Sequence, residues 1–430
     1  MILAMAAAIL KSGGDIWLLA SPPVAEVARK SLAHRVFTMS GDRAANQIVL
    51  YRIVRKYRPD LLVFSELYEL LRPSRQPDCP LFDARLLEQL ATCDPALAFI
   101  DFISHTPMLR EVTRCPQCLN DFGADALTAV LRRLWVVLPC PLHEPAPVVE
   151  RCGMPYRTMS LPLALSPSER RKVREELLGR NRSDKAHLIL RTGSTWQARL
   201  ANKARLPMYD YLPNLMSFYL SGSAKPTTLV SVSDEQRLRQ PSNGQLKIIN
   251  VPNLPPQRFD RLLLAADLLV TDNEIGYAQA KALGRTPAVV LVNTRQLPDI
   301  LHRQPARHPV GRIVREIESA RPESVFPHRI FPIRDDSLAL DEPAMEESAP
   351  NPPSTVRLNR MPSSPHYKAE LYGGDPVRDL FSSVLDDSTV RHTFRQSADA
   401  YIQRLNRLPD VKHVVARVLE SDWMAENLVL

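Results

Sequence analysis

Two short cysteine motifs stand 21 residues apart, Cys115-Pro-Gln-Cys118 and Cys140-Pro-Leu-His143. Two thiolates from a C-x2-C turn, with a thiolate and an imidazole from a C-x2-H turn, form a ligand set of the kind that holds a tetrahedral structural zinc ion. The competing reading is reduced, partly buried thiols, because Cys140 and His143 follow a predicted strand and the two pairs need not meet in the fold. Six cysteines in 430 residues do not make a disulfide framework.

Other chemistry-bearing residues gather where predicted strands end. Asp101 and His105 follow one strand and Glu66 follows another. Arg191-Thr192-Gly193-Ser194 leaves a third strand, and Asp272-Asn273-Glu274-Ile-Gly276 leaves a fourth, with Gln279 a few residues on. A guanidinium matches a phosphate in geometry, and the Gly193-Ser194 turn offers N–H and hydroxyl donors. Asp272 and Glu274 suit sugar or ribose hydroxyls, although acids at a helix start are favoured by the helix dipole whatever the function. The alternatives stay open: Asp101, His105 and Glu66 as loop or helix caps, and Arg191 as a surface arginine.

These residues need a scaffold, and 430 residues are enough for two cores. The hydrophobic share of 45% and charged share of 24% are those of a globular protein. Thirty-eight prolines against fourteen glycines point to many X-Pro stops and at least one extended linker. The pattern predicts a helix over Ile2–Lys11, a strand over Asp15–Ala20, a helix over Val24–Ala33, a strand over Arg35–Thr38, a helix over Ala45–Tyr57 and a strand over Leu61–Phe64. Strands follow at Leu97–Phe102 and Leu134–Leu138, and Ser166–Arg182 bridges to a second half.

There the rhythm restarts with strands at Leu188–Leu190, Thr228–Val232, Leu246–Val251, Leu268–Val270 and Ala288–Val292, interleaved with helices at Tyr211–Tyr219, Arg258–Ala265 and Glu274–Leu283. Alternating strands and helices argue for α/β architecture: two Rossmann-like, doubly wound domains facing a cleft, with a helical C-terminal tail. The expected divisions are 1–165, 183–335, a linker or mobile segment over 338–366, and a tail over 367–430 with helices at Thr389–Leu405 and Val411–Leu419.

Two such halves and a helical tail resemble the GT-B glycosyltransferase fold. The segment Arg261–Val290, with Ala266-Asp267 before a strand and Gly284-Arg-Thr-Pro287 before the next, resembles the donor segment of transferases of the peptidoglycan N-acetylglucosaminyl type. That resemblance implies transfer of a sugar from a nucleotide-diphosphate donor, which is a small-molecule substrate, to an unidentified acceptor. Arg191, Thr192, Gly193, Ser194, Asp272, Asn273, Glu274, Gly276 and Gln279 would line the donor pocket. Asp101 or His105, with Glu66 second, would deprotonate the acceptor hydroxyl.

Three departures accompany the resemblance. Gln279 stands where the family carries a ribose-binding Glu, the Gly-to-Pro turn is one residue longer, and the family's first strand is absent. Either the start is assigned too far downstream or the acceptor side is remodelled. The competing functions are a non-catalytic binding or partner protein of the same fold and a sugar-nucleotide epimerase. No Asp-x-Asp motif stands in a suitable place, so no catalytic metal is expected, and helix N-termini and Arg would stabilise the leaving diphosphate. A net charge of +8 suits anionic ligands, but no nucleic-acid motif occurs. Without a membrane-length apolar run or a signal peptide the expected place is the cytoplasm, with peripheral membrane contact left open.

Overall fold

The structure is a computed structural model, which describes residues 10, 14–22, 25–26, 28–29, 35–65, 81, 83–100, 123–140, 154–158, 163–193, 208–233, 237–241, 246–252, 254–272, 277–283, 285–292, 297–320 and 366–420. They fall into two compact units, one holding residues up to Met159 together with those from Arg404, the other most of what lies between.

In the first unit β1 (Leu18–Ala20) pairs in parallel with β2 (Val36–Thr38). Helix α1 (Arg43–Tyr57) starts where the Asp42 carboxylate accepts from the amides of Ala44 and Ala45, and it ends at Arg58, left-handed at φ 45, ahead of Pro59. Then come β3 (Leu61–Ser65), α2 (Ala84–Thr92, capped by Asp83), β4 (Ala96–Ile100), α3 (Ala124–Arg133), β5 (Leu134–Cys140) and β6 (Met154–Arg157). Strands β3 to β6 form one parallel sheet in chain order. Its core is Phe64, Leu87, Leu97, Phe99, Leu127 and Leu131.

The second unit opens with α4 (Pro167–Leu178), fixed by a capping box in which the Ser166 hydroxyl accepts from the Glu169 amide and the Glu169 carboxylate accepts from the Ser166 amide. It continues through β7 (His187–Thr192), α5 (Met208–Leu220), β8 (Thr227–Val232), β9 (Leu246–Val251), α6 (Pro256–Ala265), β10 (Leu268–Thr271), α7 (Tyr277–Ala282), β11 (Ala288–Val292), α8 (Leu297–Arg303) and α9 (Pro309–Ala320). Strand β12 (Tyr367–Glu370) and helices α10 (Asp375–Asp386), α11 (Ser388–Asn406) and α12 (Val411–Glu420) follow. The sheet is parallel throughout, in the order β9-β8-β7-β10-β11-β12. Numbered within the unit this is 3-2-1-4-5-6, the doubly wound order with its crossing point between the first and fourth strands. Strands β8, β10 and β11 are buried along their whole length, as strands covered on both faces must be. Helix α12 returns to the first unit and sets Val411 and Val414 against Ile100, Val137 and Tyr156.

The parallel α/β architecture expected from the sequence is what the chain adopts. Three local expectations change. Arg191 and Thr192, read as loop, are the last residues of β7, because the Arg191 side chain is buried and bonded inside the sheet. The tail contains a strand, β12, whose sequence Tyr-Lys-Ala-Glu buries only Ala369 and gives no strand signal. Helices α2, α3, α8, α9 and α10 and strand β6, which carries Pro155, were not legible. The opening helix apart from Leu10, and the linker up to residue 365, lie outside the described residues.

Candidate functional site

In a doubly wound sheet, ligands bind beyond the carboxyl ends of the strands at the crossing point. Here that place is the end of β7 and β10, paired so that Thr192 stands beside Thr271, with Gly193 and Asp272 as the next residues. Arg191 lies just inside. Only 2% exposed, it donates from Nη1 to the Ser231 hydroxyl of β8 at 3.1 Å and from Nη2 to Oδ2 of Asp272 at 3.4 Å. One guanidinium therefore ties the ends of three neighbouring strands together and fixes the direction of the Asp272 carboxylate. A buried charge of this kind persists only with such partners, so the surface-arginine reading of Arg191 is overturned by its burial. The Asp272 side chain keeps 12% exposure, and Thr192 and Gly193 are half-buried. The site joins a carboxylate, a hydroxyl and a glycine backbone at one strand edge.

Helix α7 follows β10. It is described over six residues from Tyr277, and Asn273 to Gly276, where the sequence suggests its start, lie outside the described residues. Gln279 lies in it and is 2% exposed. The helix is held by Lys281, whose Nζ meets Oδ1 of Asp260 in α6 at 2.6 Å. The turn that runs one residue long explains itself: the Thr286 hydroxyl, wholly buried, donates to the Leu263 carbonyl at 3.0 Å, and the Leu269 amide donates to the Pro287 carbonyl. The extra residue is a rivet between this turn and α6.

Asp267, read only as half of an Ala-Asp motif, has a structural role at the opposite, amino-terminal end of the same strand pair. Its carboxylate accepts from Arg170 and Arg174 at 2.8 Å each and from the Leu188 amide at 2.9 Å. Burial alone would push the Asp267 carboxyl up, but hydrogen bonding from His187, the Arg174 charge and the Leu188 amide hold it well below the usual carboxylate range. His187 in turn meets Asp386 of α10 at 2.9 Å. This cluster knits α4, β7, β10 and α10.

Of the sequence-derived candidates, the structure brings together Arg191, Thr192, Gly193 and Asp272, with Gln279 in the next helix. Ser194, Asn273, Glu274, Gly276, Glu66, Asp101, His105, Cys115, Cys118 and His143 lie outside the described residues. Cys140 is described: it is fully buried at the end of β5, with Sγ 3.7 Å from the Leu138 carbonyl. Among the described residues no cluster of His, Cys, Asp or Glu could hold a metal ion, and no helix is long and apolar enough to cross a membrane. Ser231 is the site residue that the sequence reading missed. Its one signal was a hydroxyl inside the apolar strand Thr-Thr-Leu-Val-Ser-Val.

Among solved structures, the chain is similar to the glycosyltransferase VinC in complex with dTDP, at 13% identity over 97% of this chain and 94% of that one, with a TM-score of 0.50. It is also similar to the spinosyn rhamnosyltransferase SpnG complexed with thymidine diphosphate, at 11% identity over 98% and 96% (TM-score 0.48), and to the glycosyltransferase SnogD from Streptomyces nogalater, at 13% over 97% and 94% (TM-score 0.44). At these identities the likeness to VinC speaks for a shared GT-B-like fold and no more. No curated protein matches the sequence. The model of a family of unknown function, DUF6365, matches residues 5–338, and the chain belongs to that family.

Proposed function

We propose that this protein transfers a sugar from a nucleotide-diphosphate donor, bound at the carboxyl ends of β7 and β10, to an acceptor hydroxyl. The observation that carries the reading is the Arg191–Ser231–Asp272 constellation at the crossing point of a 3-2-1-4-5-6 sheet. A buried, bonded guanidinium and a directed carboxylate at that place are what a ligand pocket needs before the ligand arrives.

In this reading Arg191 acts through Asp272, holding its carboxylate toward a ribose or sugar hydroxyl. Thr192, Gly193 and Ser194 offer backbone N–H and hydroxyl donors to the diphosphate, and Asn273, Glu274, Gly276 and Gln279 complete the donor side. The acceptor oxygen attacks the anomeric carbon as the bond to the diphosphate breaks, and Asp101 or His105, with Glu66 second, receives the hydroxyl proton. The dTDP in the VinC structure and the resemblance of Arg261–Val290 to a peptidoglycan-type donor segment both support a nucleotide-sugar donor. The sugar and the acceptor stay open.

A thermal-shift screen against UDP, GDP, TDP, ADP and CDP tests the donor half. A nucleotide at one hundred times its Kd stabilises the folded chain by about 2.7 kcal/mol, and a selective rise in midpoint is the expected result. No rise with any of them sinks the reading. For the acceptor half, Asp101→Asn is expected to abolish turnover of the matching nucleotide sugar while nucleotide binding survives. Unchanged turnover removes Asp101 as the base. Binding without turnover in the wild type would mark a non-catalytic binding protein.

A further inference from the structure

Strand β9 is an outer edge of the second unit's sheet, with β8 on one side and, among the described residues, no strand on the other. An edge of this kind presents backbone N–H and C=O groups with which another chain can pair. The sequence of β9 sharpens that tendency. Leu-Lys-Ile-Ile-Asn-Val holds four apolar residues in six, three of them β-branched, and neither Pro nor Gly, a composition from which strands of identical chains stack. The Val251 carbonyl accepts from the Ser233 amide beyond β8. Backbone groups alternate along a parallel strand, so those of Lys247, Ile249 and Val251 turn toward β8 and those of Leu246, Ile248 and Asn250 turn outward.

The outward side is closed by side chains in place of a strand. Residues 237–241 run back alongside β9, so that Leu238 lies by Asn250 and Gln240 by Ile248. The Gln240 carboxamide takes both backbone groups of Ile248: Oε1 accepts from the amide at 3.0 Å and Nε2 donates to the carbonyl at 2.7 Å. The Asn250 carboxamide does the same for Leu238, accepting from its amide at 3.0 Å and donating to its carbonyl at 2.9 Å. A side-chain amide carries the donor and the acceptor of a peptide group, so these two residues reproduce the rungs of an antiparallel ladder. Leu238, 3% exposed, anchors the segment in the core beside Leu246 and Ile248. Arg237, Arg239 and Lys247 stay exposed, and a second copy arriving at the same edge would set cations against cations.

Stability alone gives little reason for this arrangement. Gln240 and Asn250 are both exposed, where water satisfies the same groups at small net loss. We propose that Gln240 and Asn250 form a clip that keeps β9 from pairing with β9 of a second copy of this chain. With the clip removed, two copies related by a two-fold axis pair antiparallel through their β9 edges.

Gln240→Ala/Asn250→Ala removes all four bonds from exposed positions. Size exclusion with light scattering is expected to show a mass that rises with concentration in the double variant and stays constant in the wild type, with circular dichroism unchanged. A variant that keeps the wild-type mass at every concentration overturns the proposal. Gln240→Ala alone leaves the Leu238 anchor in place. Its Ile248 amide is expected to exchange roughly tenfold faster than in the wild type in dilute solution and to regain protection as the concentration is raised; an amide that stays unprotected at every concentration overturns the proposal. In Gln240→Ala/Asn250→Pro the ring removes an outward amide from the edge, and the wild-type mass is expected to return. Association that survives this change arises at another surface and overturns the proposal.

Discussion

Replacing Asp267 by Asn tests how the second unit is held together. The carboxylate accepts from two guanidinium groups at 2.8 Å and one backbone amide at 2.9 Å. Asn keeps the size and one acceptor oxygen, so the Leu188 amide stays paired, but Arg174 loses its only anionic partner among the described residues while remaining 5% exposed. Its other bonds run to the carbonyls of Ser183, Ala265 and Ala186 and carry no full charge. Leaving one partner of a buried pair uncompensated costs about 3–5 kcal/mol, against a typical domain stability of about 5–15 kcal/mol. Native-state hydrogen exchange read on β7 and β10 isolates this unit from the other. Opening of these strands is expected to become roughly 10²–10⁴ times more frequent at pH 7. The folded carboxylate is held below its unfolded value, so its contribution is present above about pH 4 and fades as the pH falls through the folded value. The two proteins should therefore converge in acid. A loss under about 1 kcal/mol at pH 7, the level of an exposed pair, would refute the reasoning.

Three further outcomes follow from single sites. Burial pushes the His366 imidazole down from 6.5 to about 4, so the unfolded chain takes up a proton that the folded chain refuses across that window. Stability should fall by about 3 kcal/mol between pH 6.5 and 4, and His366→Leu should flatten that limb of a pH series of urea melts. A Cβ at Gly311 would sit 2.2 Å from the Pro305 carbonyl oxygen and 2.6 Å from that of Gln304. Gly311→Ala is therefore expected to cost about 3 kcal/mol, which calorimetry would register as a midpoint about 6–12 °C lower. The buried Tyr219 hydroxyl donates to the Leu371 carbonyl at 2.5 Å, tying α5 to the turn after β12. Tyr219→Phe should lose about 1–3 kcal/mol in urea unfolding, from the orphaned carbonyl.

The strands of the second unit were legible because they are apolar runs of four to six residues between polar turns, such as Ala288–Val292. What escaped had weak local signals and strong tertiary causes. A charged residue ordinarily ends a buried strand, so the local sequence places Arg191 in a loop; partners such as Ser231, forty positions away, and Asp272 make its burial tolerable. Strand β12 was invisible because Tyr-Lys-Ala-Glu is held by pairing with β11 and has no apolar pattern of its own. The site's residue types at strand ends could be read, but the guanidinium that links them depends on strand order, which no local pattern contains. The local sequence shows Asp267 only as part of an Ala-Asp motif, while its bonds to Arg170 and Arg174 join residues almost a hundred positions apart.

The central claim is a nucleotide-diphosphate site built on Asp272 at the ends of β7 and β10. Isothermal titration of UDP, GDP, TDP, ADP and CDP into the wild-type chain and into Asp272→Asn tests it most directly. The expected result is saturable binding of at least one nucleotide to the wild type, weakened at least tenfold, about 1.4 kcal/mol, in a variant that retains its fold by circular dichroism. Equal affinity in both proteins, or no binding to the wild type, would contradict the claim.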